Sequence, residues 1–399
     1  MPILASNKTC TGCGGCSNIC PHEAISLQPD SLGFLMPEVD KDKCVECKLC
    51  EKACPIVNDK KSQLKYSTPE IAYAMWSTPD RSLSSSGGAF SAIARPILNQ
   101  GGRVYGAAWK DGFNCCHQCV DSINDLQKLR GSKYLQSSIL DNYKKVKQDL
   151  NAGKKVLFTG TPCQVAGLRS FLIKPYENLL TVDIVCHGVP SQKLFSNYIT
   201  KLKTEYKKFS KASGFTFRNL RGWGISPALN ILRDKVFLYG ESNLYMTAFD
   251  RAAIFRNSCY DCQFNGLTRV GDLTIADFWG IGKQGIPFKH DVTEGVSLML
   301  ANSEAGKKYI ETLQNIFIEQ RPLKEAIKFN KNLIESSPSY DRHDEIITDF
   351  LNPTMTLSDI SKKYSLMDKS IASQVKLLLI RTHLLYPIKS LYNKIRTII

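Results

Sequence analysis

From residue 70 onward the chain alternates short apolar runs with amphipathic ones, the pattern of strands set between helices. Ile71-Ala-Tyr-Ala-Met-Trp76 predicts a strand, and Ser91-Ala-Ile-Ala-Arg-Pro-Ile-Leu98 a helix that begins behind Ser84-Ser-Ser-Gly-Gly88. Gly101-Gly-Arg-Val-Tyr-Gly-Ala-Ala-Trp109 reads as a turn into a strand. A polar, Lys-rich helix follows and stops at Asn151-Ala-Gly153, where glycine can take the left-handed conformation. Lys154-Lys-Val-Leu-Phe-Thr-Gly160 is a buried strand. Thr161-Pro-Cys-Gln164 opens a helix through Leu172, and Leu179–Val185 is the next strand. Strand, helix, strand at this spacing predicts a βαβ unit and a parallel sheet. A helix follows Ser191, residues 211–250 are mixed and strand-rich, Asp272–Trp279 is a further strand, and residues 303–350 read as helices.

Residues 1–60 show no such period and little apolar material, so another force must hold them. Cysteine supplies it. Cys10, Cys13, Cys16 and Cys20-Pro21, then Cys44, Cys47, Cys50 and Cys54-Pro55, each spell the C-x₂-C-x₂-C-x₃-C-P run of bacterial two-cluster ferredoxins. In that arrangement Cys10, Cys13, Cys16 and Cys54 hold one four-iron cube, and Cys44, Cys47, Cys50 and Cys20 hold the other. Structural zinc sites pair C-x-x-C hooks across a longer spacer instead of using a triplet and an outlier. A disulfide framework needs an oxidising compartment, and the first residues have no apolar signal-peptide core.

Charge divides the chain the same way. The whole carries +15, while residues 1–60 hold six Lys against eight Asp or Glu. A basic body behind an acidic front favours anionic partners such as dinucleotides and small anionic substrates. No nucleic-acid recognition motif accompanies the charge. No apolar run reaches the length of a spanning helix. Residues 369–399 carry six Lys or Arg and no Asp or Glu among apolar positions. Such a tail either packs on its own domain or lies on an anionic membrane surface.

Seven of the fifteen cysteines lie outside the front runs. Cys115, Cys116 and Cys119 surround His117 without a second hook at zinc-finger spacing, so they read as free thiols. Cys163 and Cys186 both stand just past predicted strand ends, where ligands of parallel sheets lie. With Cys259-Tyr-Asp-Cys262 they make either a third four-thiolate site or scattered thiols. The Ser84–Gly88 stretch is either an anion site at a helix start or a plain serine N-cap. Gly280-Ile-Gly282-Lys-Gln-Gly285 matches G-x-G-x-x-G after a strand. Ile286-Pro-Phe follows where a dinucleotide fold needs a helix, so a glycine-rich loop is the better reading. His187 and Asp277 are candidates for proton supply, with a packed histidine and a strand-end carboxylate as the plainer roles.

Ser85-Ser-Gly-Gly-Ala-Phe90, Gly131-Ser-Lys-Tyr-Leu-Gln-Ser137, Leu157–Leu168, Asp183-Ile-Val-Cys-His-Gly-Val-Pro-Ser191, Cys259-Tyr-Asp-Cys262 and Asp272–Gly280 together resemble the beta subunit of the deazaflavin-coenzyme-reducing hydrogenase and dehydrogenase family. The resemblance runs from about residue 70 to 300, with a ferredoxin module fused in front. It implies a mixed α/β chain, with an α/β flavoprotein body over 70–152 and 153–320 behind the two-cluster ferredoxin-like α+β module of 1–60; residues 321–399, which carry none of its motifs, read as a helical, basic region. It implies FAD, with Ser86, Gly87, Gly88, Ser132 and Lys133 as contacts, and a third 4Fe-4S cluster on Cys163, Cys186, Cys259 and Cys262. The implied activity is a cytoplasmic iron–sulfur flavoprotein oxidoreductase, peripheral at most to the inner face of the membrane. Its donor is a small electron-transfer protein or a reduced deazaflavin, and its substrate an organic anion, in the manner of fusions from surface-polysaccharide gene clusters. The alternative is an electron-transfer subunit that serves a partner enzyme and has no substrate of its own.

Overall fold

The computed structural model describes residues 1–58, 64–219, 223–283, 285–367 and 379. The front module is built from a hairpin, β1 (Ile25–Pro29) with β2 (Leu35–Val39), and two five-residue helices, Gly15–Ile19 and Leu49–Ala53. Each helix begins one residue ahead of the third cysteine of its run and ends just before the fourth, so the two runs fold alike. The module's apolar core is small: Ala24 and Ile25 with the thiols of Cys20 and Cys50.

The body is organised on one eight-stranded sheet. Its strands are β3 (Ile71–Ser77), β4 (Arg103–Trp109), β5 (Cys115–Val120), β6 (Val156–Gly160), β7 (Leu179–Ile184), β11 (Leu273–Asp277), β12 (Ser297–Ala301) and β13 (Ile316–Pro322). Their order across the sheet is β13-β3-β12-β11-β7-β6-β4-β5. The centre, β4, β6, β7 and β11, is parallel, and the strands outside it are antiparallel. The predicted βαβ unit is β6, the helix Pro162–Leu172 and β7. Alternation of side chains sorts the two faces. Leu157 packs with Ile93, Ile97 and Met299 under the helix Ala89–Asn99, whereas Val156 and Phe158 pack with Val165, Leu168 and Phe171 on the other side. Residues 70–152 and 153–320 thus share a single sheet.

A second, larger apolar cluster joins the helices Gln192–Glu205, Leu244–Asp250, His343–Leu351 and Leu357–Lys363 to a three-stranded antiparallel sheet. That sheet is β8 (Ala212–Thr216), β9 (Ala228–Ile231) and β10 (Asp234–Phe237), which fits the mixed reading of 211–250.

Two expectations need correction. Residues 303–350 are not all helical: Ile316-Phe-Ile-Glu-Gln-Arg-Pro322 pairs along the whole of β3, so it closes the sheet edge as β13. The boundary expected at 320 falls inside this strand. The helix Ala89–Asn99 is not capped by a serine. Gly88, at φ +87°, takes the N-cap in a conformation closed to most side chains. The polar connector expected over 59–69 is docked where it is described: Arg169 Nη1 donates to the Leu64 carbonyl, and Tyr66 donates to Asp272. The tail over 369–399 lies outside the described residues, apart from Leu379. Among the described residues no helix is long and apolar enough to cross a membrane.

Candidate metal centres

Three pockets are each walled by four cysteines. Cys10, Cys13, Cys16 and Cys54 line the first, closed by Leu4, Leu27 and Ile56. Cys20, Cys44, Cys47 and Cys50 line the second, with Ile25 and Val45. Cys163, Cys186, Cys259 and Cys262 line the third, with Ser337 and Thr11. The structure thus brings Cys163 and Cys186 together with the Cys259–Cys262 hook, and Thr11 lines both the first pocket and the third.

The third set is assembled from distant segments. Pro162 begins the helix after β6, and Gln164 Oε1 accepts from the Thr161 N–H at 3.1 Å, so the helix start is fixed and Cys163 sits on its first turn. Cys186 follows the carboxyl end of β7. The hook Cys259–Cys262 follows a turn in which the Cys259 N–H donates to the Arg256 carbonyl. Asp183 ties these pieces together. Its carboxylate, fully buried on β7, accepts from Arg269, Thr274 and the backbone N–H groups of Val270 and Gly271, all just beyond the hook.

Crowding and burial work against thiolate charge in these pockets. Desolvation pushes Cys13 up to about 12, helped by its neighbour Cys54. It does the same to Cys163 and Cys259, with the Arg256 guanidinium pulling both back down. Cys186 and Cys16 rise further from the same cause. Four thiolates packed this closely need a compensating cation, and sulfur donors of this kind suit iron–sulfur clusters. Backbone N–H groups already reach two of the sulfurs: Gly12 donates to Cys10 and Ala24 to Cys20, each at 3.4 Å. Among the described residues no group of three or more such side chains is arranged around a single metal ion. The thiols stand around pockets, and the donor set fits a cluster.

The front module is locked to the body through Arg256, which is buried. Its guanidinium donates to the carbonyls of Cys10 and Leu35 and to Gln136, and it lies over the Phe34 ring. Gln136 donates in turn to the Thr11 carbonyl, Ser258 to the Cys10 carbonyl, and Asn18 to the Leu140 carbonyl. Gly12 is required here: at φ +64° a Cβ would stand 2.7 Å from an Arg256 nitrogen. None of Arg256, Gln136 and Ser258 stands out from sequence. The only hint is their position inside or beside motif segments.

Of the residues implied as flavin contacts, Ser86, Gly87 and Gly88 precede the helix Ala89–Asn99, and Ser132 and Lys133 lie in a loop. Gly87 is packed: a Cβ there would stand 2.3 Å from the Met75 carbonyl oxygen and 2.6 Å from the Ser297 nitrogen. Ser86 donates to the Val296 carbonyl. Lys133 donates to the carbonyls of Ala107, Leu129 and Arg130; burial pushes its ammonium down to about 8, opposed by the charge of Cys115. Ser132 is exposed, and the adjoining Gly131 faces Ser85. Of these residues Ser132 is exposed, Ser86 is half-buried, Gly87 and Gly88 are buried, and Lys133 clamps its own loop. Arg218, missed in the sequence, is buried beside the Ser85–Gly88 loop and donates to the Ser85 carbonyl and to Asp277.

Asp277 accepts from Arg218 and from the Trp223 indole. His187 lines the third pocket, and burial lowers its pKa. His117 is enclosed between Ser137 and the Thr159 carbonyl, while Cys115 and Cys116 are buried on edge strand β5. Gly280 turns at φ +83° against the Phe329 ring, and among the described residues no helix lies between it and β12, as the loop reading expects.

Residues 153–326 match the family described as the C terminus of the coenzyme F420 hydrogenase/dehydrogenase beta subunit, and residues 9–57 match the 4Fe-4S dicluster domain. A coenzyme F420-dependent sulfite reductase of Methanocaldococcus jannaschii is 26% identical over 195 residues, 47% of this chain and 29% of that protein. Ferredoxin YfhL of Escherichia coli is 39% identical over 64 residues, 14% of this chain and 67% of that one. An H2:CoB-CoM heterodisulfide, ferredoxin reductase polypeptide of Methanothermobacter marburgensis is 32% identical over 66 residues, 13% of this chain and 10% of that one. The chain thus spans well under half of the first curated relatives it matches. A chain of the F420-reducing NiFe hydrogenase complex of Methanosarcina barkeri aligns over 75% of this chain and 92% of its own length, at 15% identity and a TM-score of 0.44. The chain joins a 4Fe-4S dicluster domain to a C-terminal domain of the coenzyme F420 hydrogenase and dehydrogenase beta-subunit family.

Proposed function

We propose that the chain is an iron–sulfur flavoprotein oxidoreductase with three four-iron centres. On this reading it takes electrons from a small donor protein or a reduced deazaflavin and uses them to reduce an organic anion, a step in surface-polysaccharide synthesis. One observation carries the reading: three pockets, each walled by four cysteines, with Thr11 lining two of them. Cys10, Cys13, Cys16 and Cys54 would hold one cluster, Cys20, Cys44, Cys47 and Cys50 the second, and Cys163, Cys186, Cys259 and Cys262 the third. Such clusters supply one-electron carriers, and FAD, when bound, supplies the change from single electrons to the pairs that organic reductions need.

The chain's own residues set the order of the sites. Cys47 is exposed, as are Met1, Ile3 and Val45 in the same module, so the second pocket is the one a donor can approach. The first pocket is enclosed against the helix Pro162–Leu172, where a Cβ on Gly167 would stand 2.9 Å from the Cys13 sulfur. Beyond it, the third pocket opens at the carboxyl ends of β6 and β7, the edge at which parallel sheets bind ligands. Ser86 and Ser132 present the surface for FAD, and the basic body attracts both FAD and an anionic substrate.

The test is anaerobic reconstitution followed by reduction with a one-electron donor. The reading expects bound FAD that bleaches in two one-electron stages and, with substrate, a return to the oxidised spectrum. Protein that loads iron but no flavin removes the flavoprotein part. Flavin that reoxidises only when a partner enzyme is added leaves an electron-transfer subunit.

A further inference from the structure

Arg256 is a buried cation with no anion to match it. It is 1% exposed, and its guanidinium reaches Gln136, the carbonyls of Cys10 and Leu35, and the Met36 sulfur. Among the described residues no carboxylate lies within ion-pair distance of it. Three other buried guanidinium groups differ: Arg269 pairs with Asp183, Arg218 with Asp277 and Arg130 with Asp80. An unmatched buried charge is costly and persists only where something compensates it.

Its position supplies the reason. It touches the first thiol set through the Cys10 carbonyl and crowds Gly12, which lies between Cys10 and Cys13. Three residues along the chain stands Cys259 of the third set, and the Arg256 N–H donates to the Val189 carbonyl, in the turn that follows Cys186. Gln136 repeats the bridge, donating to the Thr11 and Gly12 carbonyls while its own N–H donates to the Pro190 carbonyl. The guanidinium therefore stands in the wall between two sets of four sulfurs.

We propose that Arg256 is the fixed counter-charge shared by the first and third thiol sets, which raises the reduction potential of the clusters they hold and keeps the two close enough in potential to exchange electrons. The inference rests on the cluster reading above. The physical ground is that a cluster on four thiolates is anionic and becomes more so on taking an electron. A permanent cation in a dry wall stabilises the reduced form more than the oxidised one. Arg256 is a positioning and tuning residue, since it reaches the sulfurs through the backbone and through space.

The experiment is a potentiometric titration followed by electron paramagnetic resonance, on full-length protein with its iron counted. In Arg256→Gln the first and third centres should each become at least tenfold harder to reduce, equivalent to about 59 mV for one electron, while the second centre stays put. Arg256→Lys should recover most of the shift. Gln136→Glu provides an independent route: it sets a carboxylate against the guanidinium without removing it, and should lower the same two potentials. Should Arg256→Gln fail to load its clusters, Gln136→Glu decides alone. Full iron with unchanged potentials in the loaded variants overturns the inference and leaves Arg256 a staple between module and body. Parent protein without cluster signals removes the cluster reading itself.

Discussion

Replacing Asp183 with asparagine tests the frame that gathers the third thiol set. The Asp183 carboxylate accepts five hydrogen bonds: from Arg269 Nε at 3.1 Å and Nη2 at 2.7 Å, Thr274 Oγ1 at 2.7 Å, and the N–H groups of Val270 at 3.2 Å and Gly271 at 2.8 Å. Both partners of the pair are buried, with side-chain exposures of 1% and 0%. Asparagine keeps the shape but turns one acceptor oxygen into a donor that faces donors, and it strands the Arg269 charge. Breaking a buried pair from one side costs about 3–5 kcal/mol, whereas replacing both members with apolar groups of similar volume is often near neutral. Asp183→Asn should therefore lower the thermal midpoint sharply, and Asp183→Leu with Arg269→Met should lose less than the two single changes added together. Because the network links the end of β7, and hence Cys186, to the segment after Cys262, iron should fall as well. The assay is circular-dichroism melting of anaerobically prepared protein, paired with iron analysis. A loss of about 0.5 kcal/mol or less with full iron would show that the buried pair does not hold this frame, since that is the size of an ordinary surface change.

Other outcomes follow from single contacts. Cys163→Ser should remove about 4 irons per chain and leave the signals of the front module in place, as the loss of one cube requires. Gly87→Ala should cost about 1–3 kcal/mol or more and reduce yield, because its Cβ meets the backbone of β3 and β12 and overpacked sites of this kind cannot relax cheaply. Burial lowers His117 to about 4 from an ordinary 6.5, so its neutral form belongs to the folded state. Stability should be complete above pH 6.5 and fall by about 3 kcal/mol as pH drops toward 4, and His117→Gln should flatten that part of the melting-point profile against pH.

What could be read in the sequence follows from distance along the chain. The two cysteine runs were legible because their chemistry is local: three residues carry the spacing, and the proline marks the fourth ligand. Cys163 and Cys186 were legible as neighbours because a βαβ unit places the ends of its strands side by side. Arg256 was not, since its partners Cys10 and Leu35 lie more than two hundred residues away and no period announces them. The strand β13 reads as helix from sequence because Ile316, Phe317 and Ile318 are continuous apolar residues, and only pairing with β3 decides their conformation. Ser84–Gly88 promised a serine cap, yet tight packing of Gly87 against β3 forces the turn at Gly88 instead. Lys133 is marked in the sequence only by the family resemblance, and its bonds to the carbonyls of Ala107, Leu129 and Arg130 carry no local signal.

The central claim is that all three pockets hold iron cubes. Iron and acid-labile sulfide, counted per chain in protein purified without oxygen, test it most directly. Three cubes predict about 12 of each, four per cube. A count of about 8 would leave Cys163, Cys186, Cys259 and Cys262 as thiols without a cluster, and zinc in place of iron would contradict the claim altogether.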